Sequence, residues 1–226
     1  FGCALALLAV AALSPRAAQA QRALKVYISV DMEGITGVVS SDQLGPTSFE
    51  YQRAREWMTG EALAAIQGAR DAGATEIVVS DSHGNGENLL IDQFPDDITI
   101  VRSWPRPNMM MEGVDSSFAA AVFIGYHSGT SNVKGVRAHT MSSATLTGVK
   151  LNGREVPEGG INAAIAGYYG VPIVMVSGDD AAVAEVSPFG VGMEGAIVKR
   201  AISFHSAATM TPKAGQALIR ARVKAG

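Results

Sequence analysis

An apolar segment that ends in two carboxylates is the feature that most constrains this chain. Residues 26–30 read Val-Tyr-Ile-Ser-Val, and Asp31-Met32-Glu33-Gly34 follows directly. Alternate side chains of an extended segment point to the same side, so Asp31 and Glu33 are expected to project together. In open α/β sheets, ligands collect at the carboxyl ends of strands. Two carboxylates this close repel each other unless a proton or a cation lies between them, which predicts a divalent metal site.

Segments with strand and helix signals alternate from residue 24 onward. Strands are expected at residues 24–30, 75–80, 98–101, 119–124, 171–176 and 196–199, and helices at 51–72, 159–169, 181–186 and 212–223. This alternation predicts an α/β fold with a mostly parallel central sheet and helices on both faces. Asn152-Gly153 is a two-residue turn signal, so residues 145–156 are expected to form an inserted β-hairpin.

Residues 1–20 have the composition of a secretory signal peptide. Residues 4–13 are almost wholly apolar, and Ala18-Gln19-Ala20 is a small-x-small cleavage pattern before Gln21. An uncleaved membrane anchor is the alternative, but the apolar stretch is shorter than the roughly 20 residues that spanning needs. We therefore expect a secreted or periplasmic protein with no stable membrane anchor after cleavage. Residues 21–226 are expected to form the functional domain, and both ends of the sequence are expected to be truncated.

Composition narrows the chemistry further. The 226-residue chain has a net charge of −3 and no basic stripe, so nucleic acid is not expected as a partner. Cys3 is the single cysteine and precedes the apolar run, which leaves residues 21–226 without a thiol. This excludes a cysteine nucleophile and a thiolate zinc site there, so a metal must be held by carboxylate and imidazole.

Further metal-capable side chains stand at or near strand ends. They are Asp81, His83, His127, Asp179 and Asp180, with His139 and Glu158 in segments between them. A structural role is the alternative for any one histidine, but His83 and His127 occupy equivalent positions beside the carboxylate pair. Imidazole and carboxylate both bind Zn²⁺, and two ions can share a bridging carboxylate. Asp179 and Asp180 are expected to open a helix, and His205 is expected to be structural.

These residues resemble the motifs of the D-aminopeptidase family, the M55 metallopeptidases with a binuclear zinc site. The matching segments are Ser-Val-Asp-Met-Glu-Gly-Ile-Thr-Gly at 29–37, Ser-Asp-Ser-His at 80–83, Gly-Tyr-His at 125–127, His-Thr-Met at 139–141, Glu-Gly-Gly-Ile-Asn-Ala at 158–163, Ala-Gly-Tyr-Tyr at 166–169 and Gly-Asp-Asp at 178–180. The resemblance implies hydrolysis of short peptides that begin with a D-amino acid, such as D-Ala-D-Ala.

The resemblance also implies roles for individual residues. Asp31 would bridge two zinc ions in each subunit. The other ligands would be Glu33, His83, His127 and Glu158. His139 would act in catalysis without binding metal. The family further implies a homo-oligomer, a decamer that encloses a channel.

Two other functions stay open at this point. Residues 31–36 superficially resemble the nucleophile loop of haloacid-dehalogenase phosphatases, with Gly178-Asp179-Asp180 as the acidic Mg²⁺ motif. That function needs an aspartate where Glu33 stands, and it gives His83 and His127 no task. A non-catalytic secreted binding protein that keeps the site as a relic is the second possibility, although unused buried ligands would be costly.

Overall fold

The computed structural model describes residues 24–226, and the expected signal peptide with Cys3 lies outside them. Within that range the chain forms nine β-strands and four α-helices. The strands are β1 (Lys25–Val30), β2 (Glu76–Asp81), β3 (Thr99–Val101), β4 (Ala120–Tyr126), β5 (Lys150–Leu151), β6 (Arg154–Glu155), β7 (Ile173–Asp179), β8 (Glu194–Ser203) and β9 (Ser206–Thr209). The helices are α1 (Tyr51–Asp71), α2 (Glu158–Tyr168), α3 (Asp180–Val186) and α4 (Pro212–Ala225).

The described residues build one seven-stranded sheet in the order β3-β2-β1-β4-β7-β8-β9. Every neighbouring pair is parallel except β8 with β9. The chain runs outward from β1 to β3 and then returns to add β4 on the other side of β1. The point where the strand order reverses is therefore the gap between the carboxyl ends of β1 and β4, which is where such folds bind ligands. The predicted α/β fold is confirmed.

Helices cover both faces of the sheet, as predicted. On one face α1 and α4 pack against a core that includes Ile28 and Val30 of β1. On the other face α2 and α3 pack against a core that includes Tyr27 and Phe123. Because the central strands are buried on both sides, their sequences are nearly continuous apolar runs. Metal-binding side chains are therefore expected to gather where these strands end.

Two antiparallel elements differ from expectation. The hairpin expected at residues 145–156 is confined to its tip, where β5 and β6 pair over two residues each around Asn152 and Gly153. The last strand is longer than residues 196–199, and it turns back into β9 to form a second antiparallel pair. Ser203 to Thr209 carries few apolar residues, so the hydrophobic pattern gave no strand signal there. Among residues 24–226, no helix has the length and apolar character that a membrane span requires.

A buried carboxyl group on α1 supports the segment after β1. Glu61 is 1% exposed, and its Oε1 accepts a hydrogen bond from the Thr36 N–H at 2.8 Å. Burial raises the pKa of Glu61 from 4.5 to about 7, against smaller opposing effects of Thr36 and Lys199. The stability that Glu61 contributes is therefore complete below about pH 4.5 and is lost as the pH rises through about 7.

We expect Glu61→Gln to gain stability relative to the parent chain as the pH rises, because the amide stays neutral where the buried carboxyl group ionises. The difference in the free energy of unfolding should widen by about 2 kcal/mol between about pH 5.5 and about pH 8.5. Urea denaturation of both proteins in the presence of a chelator measures it. A difference that is constant with pH would contradict the raised pKa.

Candidate metal centre

The predicted site residues converge where β1, β2 and β4 end. Asp31 and Glu33 follow β1, His83 follows β2, and His127 follows β4. β1 lies between β2 and β4, and all three are parallel, so their carboxyl ends open into one crevice. Glu158 is the first residue of α2 and reaches the same crevice.

Two glycines allow the segments after β1 and β4 to touch. The N–H groups of Asp31 and Gly34 donate to the carbonyl oxygens of Ile124 at 2.8 Å and Gly125 at 2.7 Å. A Cβ atom on Gly34 would lie 2.1 Å from the Tyr126 carbonyl oxygen, and one on Gly125 would lie 2.3 Å from the Asp31 carbonyl oxygen. Gly125 also has a φ of 69°, which favours glycine. Side chains at these positions would push the two segments apart.

The first group of potential ligands consists of Asp31, Glu33 and His83. Nδ1 of His83 lies 3.2 Å from Asp31 Oδ1 and 3.0 Å from Glu33 Oε2. Nε2 of the same ring lies 2.8 Å from the Leu44 carbonyl oxygen. Because a carbonyl oxygen only accepts, Nε2 carries the hydrogen, and in the neutral ring Nδ1 turns a lone pair toward two carboxylates. These atoms repel unless a proton or a cation lies between them.

The second group consists of Asp31, His127 and Glu158. Nε2 of His127 lies 3.3 Å from Asp31 Oδ2 and 3.6 Å from Glu158 Oε2. Nδ1 of His127 donates to the Ser128 carbonyl oxygen at 3.0 Å, which again fixes the tautomer. Asp31 thus gives one oxygen to each group. Among the described residues, the buried Asp31 Oδ2 has no hydrogen-bond partner, and such an atom is costly without a ligand.

The buried ionisable groups shift one another's pKa values. Burial and the nearby Glu33 carboxylate raise the pKa of Asp31. Burial alone would raise the pKa of Glu33, but the facing His83 ring outweighs it and holds that pKa well below its usual range. Burial opposes charge on both rings, yet the adjacent carboxylates raise the pKa values of His83 and His127 well above their usual range. The site demands positive charge, which a divalent cation can supply with both rings neutral.

His139 lies beside the second group. Its ring stacks on that of His127, with centroids 4.1 Å apart and an angle of 8° between the planes. Nδ1 donates to the Arg137 carbonyl oxygen at 2.7 Å, so Nε2 faces the site, 4.0 Å from Glu33 Oε1. Potential ligand atoms of His139, His127 and Glu158 lie within 4.8 Å of one another. The geometry therefore allows His139 to act as a ligand or as a proton-transfer group.

A cavity of ≈ 350 Å³ adjoins both groups. Besides the six predicted residues, its lining consists of Ser82, Gly84, Trp104, Met109, Met110 and Met141. Trp104 is fixed by a 2.8 Å hydrogen bond from Nε1 to the Gly84 carbonyl oxygen and by the Arg106 guanidinium 4.2 Å from its ring centroid. The apolar residues of the cavity wall were not predicted from the sequence, because they lie in loops that have no hydrophobic periodicity. The run of three methionines at 109–111 was the available signal.

Four polar residues noted in the sequence lie outside the cavity lining. The Asp81 carboxylate accepts hydrogen bonds from backbone N–H groups of the loop that follows β2. Asp179 caps α3 through a 2.9 Å hydrogen bond from the Ala182 N–H, as predicted, and Asp180 accepts from a backbone N–H of β8. His205 lies in the exposed turn between β8 and β9.

Comparison with known proteins decides the family. A sequence profile described as D-aminopeptidase matches residues 24–226. The chain belongs to the D-aminopeptidase family. A D-aminopeptidase of Bacillus subtilis (strain 168) is 38% identical over 199 residues, which is 86% of this chain and 71% of that protein. The solved structure of the Zn-dependent D-aminopeptidase DppA from Bacillus subtilis, a self-compartmentalizing protease, superposes with a TM-score of 0.84 at 36% identity, covering 89% of this chain and 73% of that one.

The comparisons confirm the family resemblance and the peptide-bond hydrolase activity predicted from the motifs. They also remove the ground for the phosphatase alternative, since the match to D-aminopeptidases runs through every segment that suggested it. As a member of this family the protein is a metal-dependent D-aminopeptidase.

We expect Gly34→Ala to lower zinc retention, because the new Cβ would force apart the segments that carry Asp31 and His127. The loss of zinc affinity should be about 10-fold or more. Gly167→Ala is the matched control: Gly167 is an exposed residue of α2, and a Cβ there meets nothing within 4 Å. Zinc content after dialysis against a weak chelator measures both variants. Equal zinc retention in the two variants would show that the close backbone approach does not set the site.

Proposed function

We propose that the two groups hold two zinc ions per chain, with Asp31 as the bridging ligand. The observation that carries this proposal is that each Asp31 oxygen faces a different imidazole nitrogen, at 3.2 Å for His83 and 3.3 Å for His127. Glu33 completes the first group and Glu158 the second. Each group then offers two carboxylates and one imidazole, which are usual zinc ligands. Because His83 carries its hydrogen on Nε2 and His127 on Nδ1, the nitrogen of each ring that faces the carboxylates is free to bind a metal.

When bound, zinc supplies Lewis acidity that polarises a carbonyl group and makes water easier to deprotonate. The chain's own residues do the rest. Backbone carbonyls of Leu44 and Ser128 hold the His83 and His127 rings in one tautomer. The Met141 N–H donates to Glu158 Oε1 and orients that carboxylate. These side chains are therefore oriented before substrate binds, and such preorganisation is a main source of electrostatic stabilisation of a transition state.

His139 is the proposed proton-transfer residue. Its Nε2 faces the cavity, while Nδ1 is held by the Arg137 carbonyl oxygen and the ring is held flat against His127. A ring fixed in this way can exchange a proton only through Nε2. Its Nε2 would first take up a proton, the one that the attacking water loses, and the resulting imidazolium would donate to the developing oxyanion or to the leaving amine of the peptide.

The proposed substrates are short peptides with a small N-terminal D-residue, such as D-Ala-D-Ala. A cavity of ≈ 350 Å³ accommodates a dipeptide-sized ligand, and its walls of tryptophan and methionine suit small apolar side chains. Preference for the D-configuration follows from the family. The alternative of a non-catalytic binding protein has no supporting feature, since all six predicted site residues line one cavity.

Assembly and location are further parts of the proposal. Exposed apolar side chains such as Phe49 and Tyr168, 98% and 84% exposed, are candidates for contacts between copies in a homo-oligomer. A decamer rests on the family resemblance, and DppA is itself described as self-compartmentalizing. Secretion or a periplasmic location rests on residues 1–20, which lie outside the described range.

We expect purified protein to contain two zinc ions per chain and to cleave D-Ala-D-Ala in preference to L-Ala-L-Ala, by about 100-fold or more in kcat/KM. A chelator should abolish turnover, and added Zn²⁺ should restore it, because a protonated imidazole can balance the carboxylates but cannot replace the Lewis acidity of the metal. Elemental analysis and measurement of released alanine test this. Full activity in the chelator, or equal cleavage of both stereoisomers, would overturn the proposal.

We expect His139→Ala to keep both zinc ions but to lose about 10²–10⁴ in kcat, because the zinc groups remain intact without the proton-transfer ring. His205→Ala, which removes an exposed histidine of the β8–β9 turn, should match the parent chain in both respects. Steady-state kinetics and zinc analysis on the three proteins decide the role. If His139→Ala loses one zinc ion, His139 is a ligand and not the proton-transfer residue.

A further inference from the structure

Lys199 is a buried cation that the metal centre described above does not include. It lies in β8 and is 2% exposed. Its Nζ donates to three backbone carbonyl oxygens, those of Glu33, Ile35 (3.1 Å) and Val38. All three acceptors belong to the segment that follows β1, more than 160 positions away in the sequence. One ammonium group therefore holds together the backbone of residues 33–38, the segment that begins with the Glu33 ligand of the first group.

The environment of Lys199 is unusual for a residue that serves packing alone. Within residues 24–226, no carboxylate oxygen lies within 4.0 Å of its Nζ. A buried ammonium group without a carboxylate partner is costly unless its donors are satisfied, and the three carbonyl oxygens satisfy all three. An apolar side chain of similar length would fill the same space without that cost. What Lys199 adds, compared with an apolar residue of the same size, is the three hydrogen bonds that its ammonium group donates.

Resting on the zinc assignment above, we propose that Lys199 is a positioning residue that aims the Glu33 carboxylate at the first zinc position. Lys199 Nζ donates to the Glu33 carbonyl oxygen. The carboxylate of the same residue faces His83, with Glu33 Oε2 3.0 Å from His83 Nδ1. Holding the carbonyl oxygen restrains the Glu33 backbone and so the point from which the side chain starts, and the contact with His83 then sets where the carboxylate lies. Glu61 holds the adjoining Thr36 N–H from the α1 side, so the segment is supported from two directions.

The second group receives no hydrogen bond from Lys199, and Asp31, which both groups share, is held through its N–H by the Ile124 carbonyl oxygen of β4. His127 follows β4 and Glu158 begins α2, and neither residue is hydrogen-bonded to β8. Loss of the ammonium group should therefore weaken zinc binding at the first group and leave the second group unchanged. Generalised damage to the fold would instead weaken both.

The test compares the parent chain with Lys199→Met, Lys199→Gln and Lys25→Met. Lys25 begins β1, where it pairs with the exposed Glu76 carboxylate, so its replacement removes a strand lysine remote from the cavity. Zinc is titrated into each metal-free protein against a competing chelator. Kinetics on D-Ala-D-Ala give kcat and KM separately, and thermal unfolding is followed without metal.

For Lys199→Met we expect one of the two zinc ions to bind about 10–100-fold more weakly, the other to bind as in the parent, and kcat to fall while KM changes little. Lys199→Gln retains two of the three donors and should show a smaller loss of the same kind. Lys25→Met should match the parent. If Lys199→Met does not fold, the Gln variant decides by the same criteria.

Parent-like binding of both ions, or equal weakening of both, would overturn the positioning role. Failure of the zinc assignment itself is separately visible, because the parent chain would then bind fewer than two zinc ions.

Discussion

Mutual repulsion among buried carboxylates is the constraint on which this structure depends. Asp31, Glu33 and Glu158 lie within one crevice, each less than a tenth exposed. In a low-dielectric site such charges cannot remain ionised together without compensating positive charge. The imidazoles of His83 and His127 supply it when protonated, and a pair of divalent ions supplies it with the rings neutral. The fold around them keeps these groups from separating to relieve the repulsion.

Much of the fold could be predicted because its signals are local. The apolar runs of β1, β2, β4 and β7 and the amphipathic pattern of α1 are visible in short windows, and the strand-end rule then places Asp31, Glu33, His83 and His127 at one edge. β9 could not be predicted, because an exposed edge strand has no buried face to impose an alternating pattern.

The site was predictable in its ligands but not in its walls or supports. Trp104 and the methionines reach the cavity through loops whose course depends on tertiary packing. Lys199 gave no distinct signal in the sequence, because it stands next to Arg200 in β8 and its three acceptors lie far away in the chain. His139 could be assigned by family resemblance alone, because its approach to His127 depends on how the segment after β4 folds back. The sequence shows which residues are able to bind metal, but which of them lie close together depends on the tertiary structure.

The short segment from Arg137 to Met141 combines two duties. At one end the Arg137 carbonyl oxygen orients the His139 ring, and at the other the Met141 N–H grips Glu158 while its side chain lines the cavity. Both end residues have positive φ, 53° and 65°, a conformation that is costly for non-glycine residues and that the surrounding contacts must hold in place. The segment that orients the groups needed for turnover is therefore also a segment that shapes the substrate cavity. A change at Met141 that widens the cavity for bulkier peptides would therefore also affect the residues that orient His139 and Glu158.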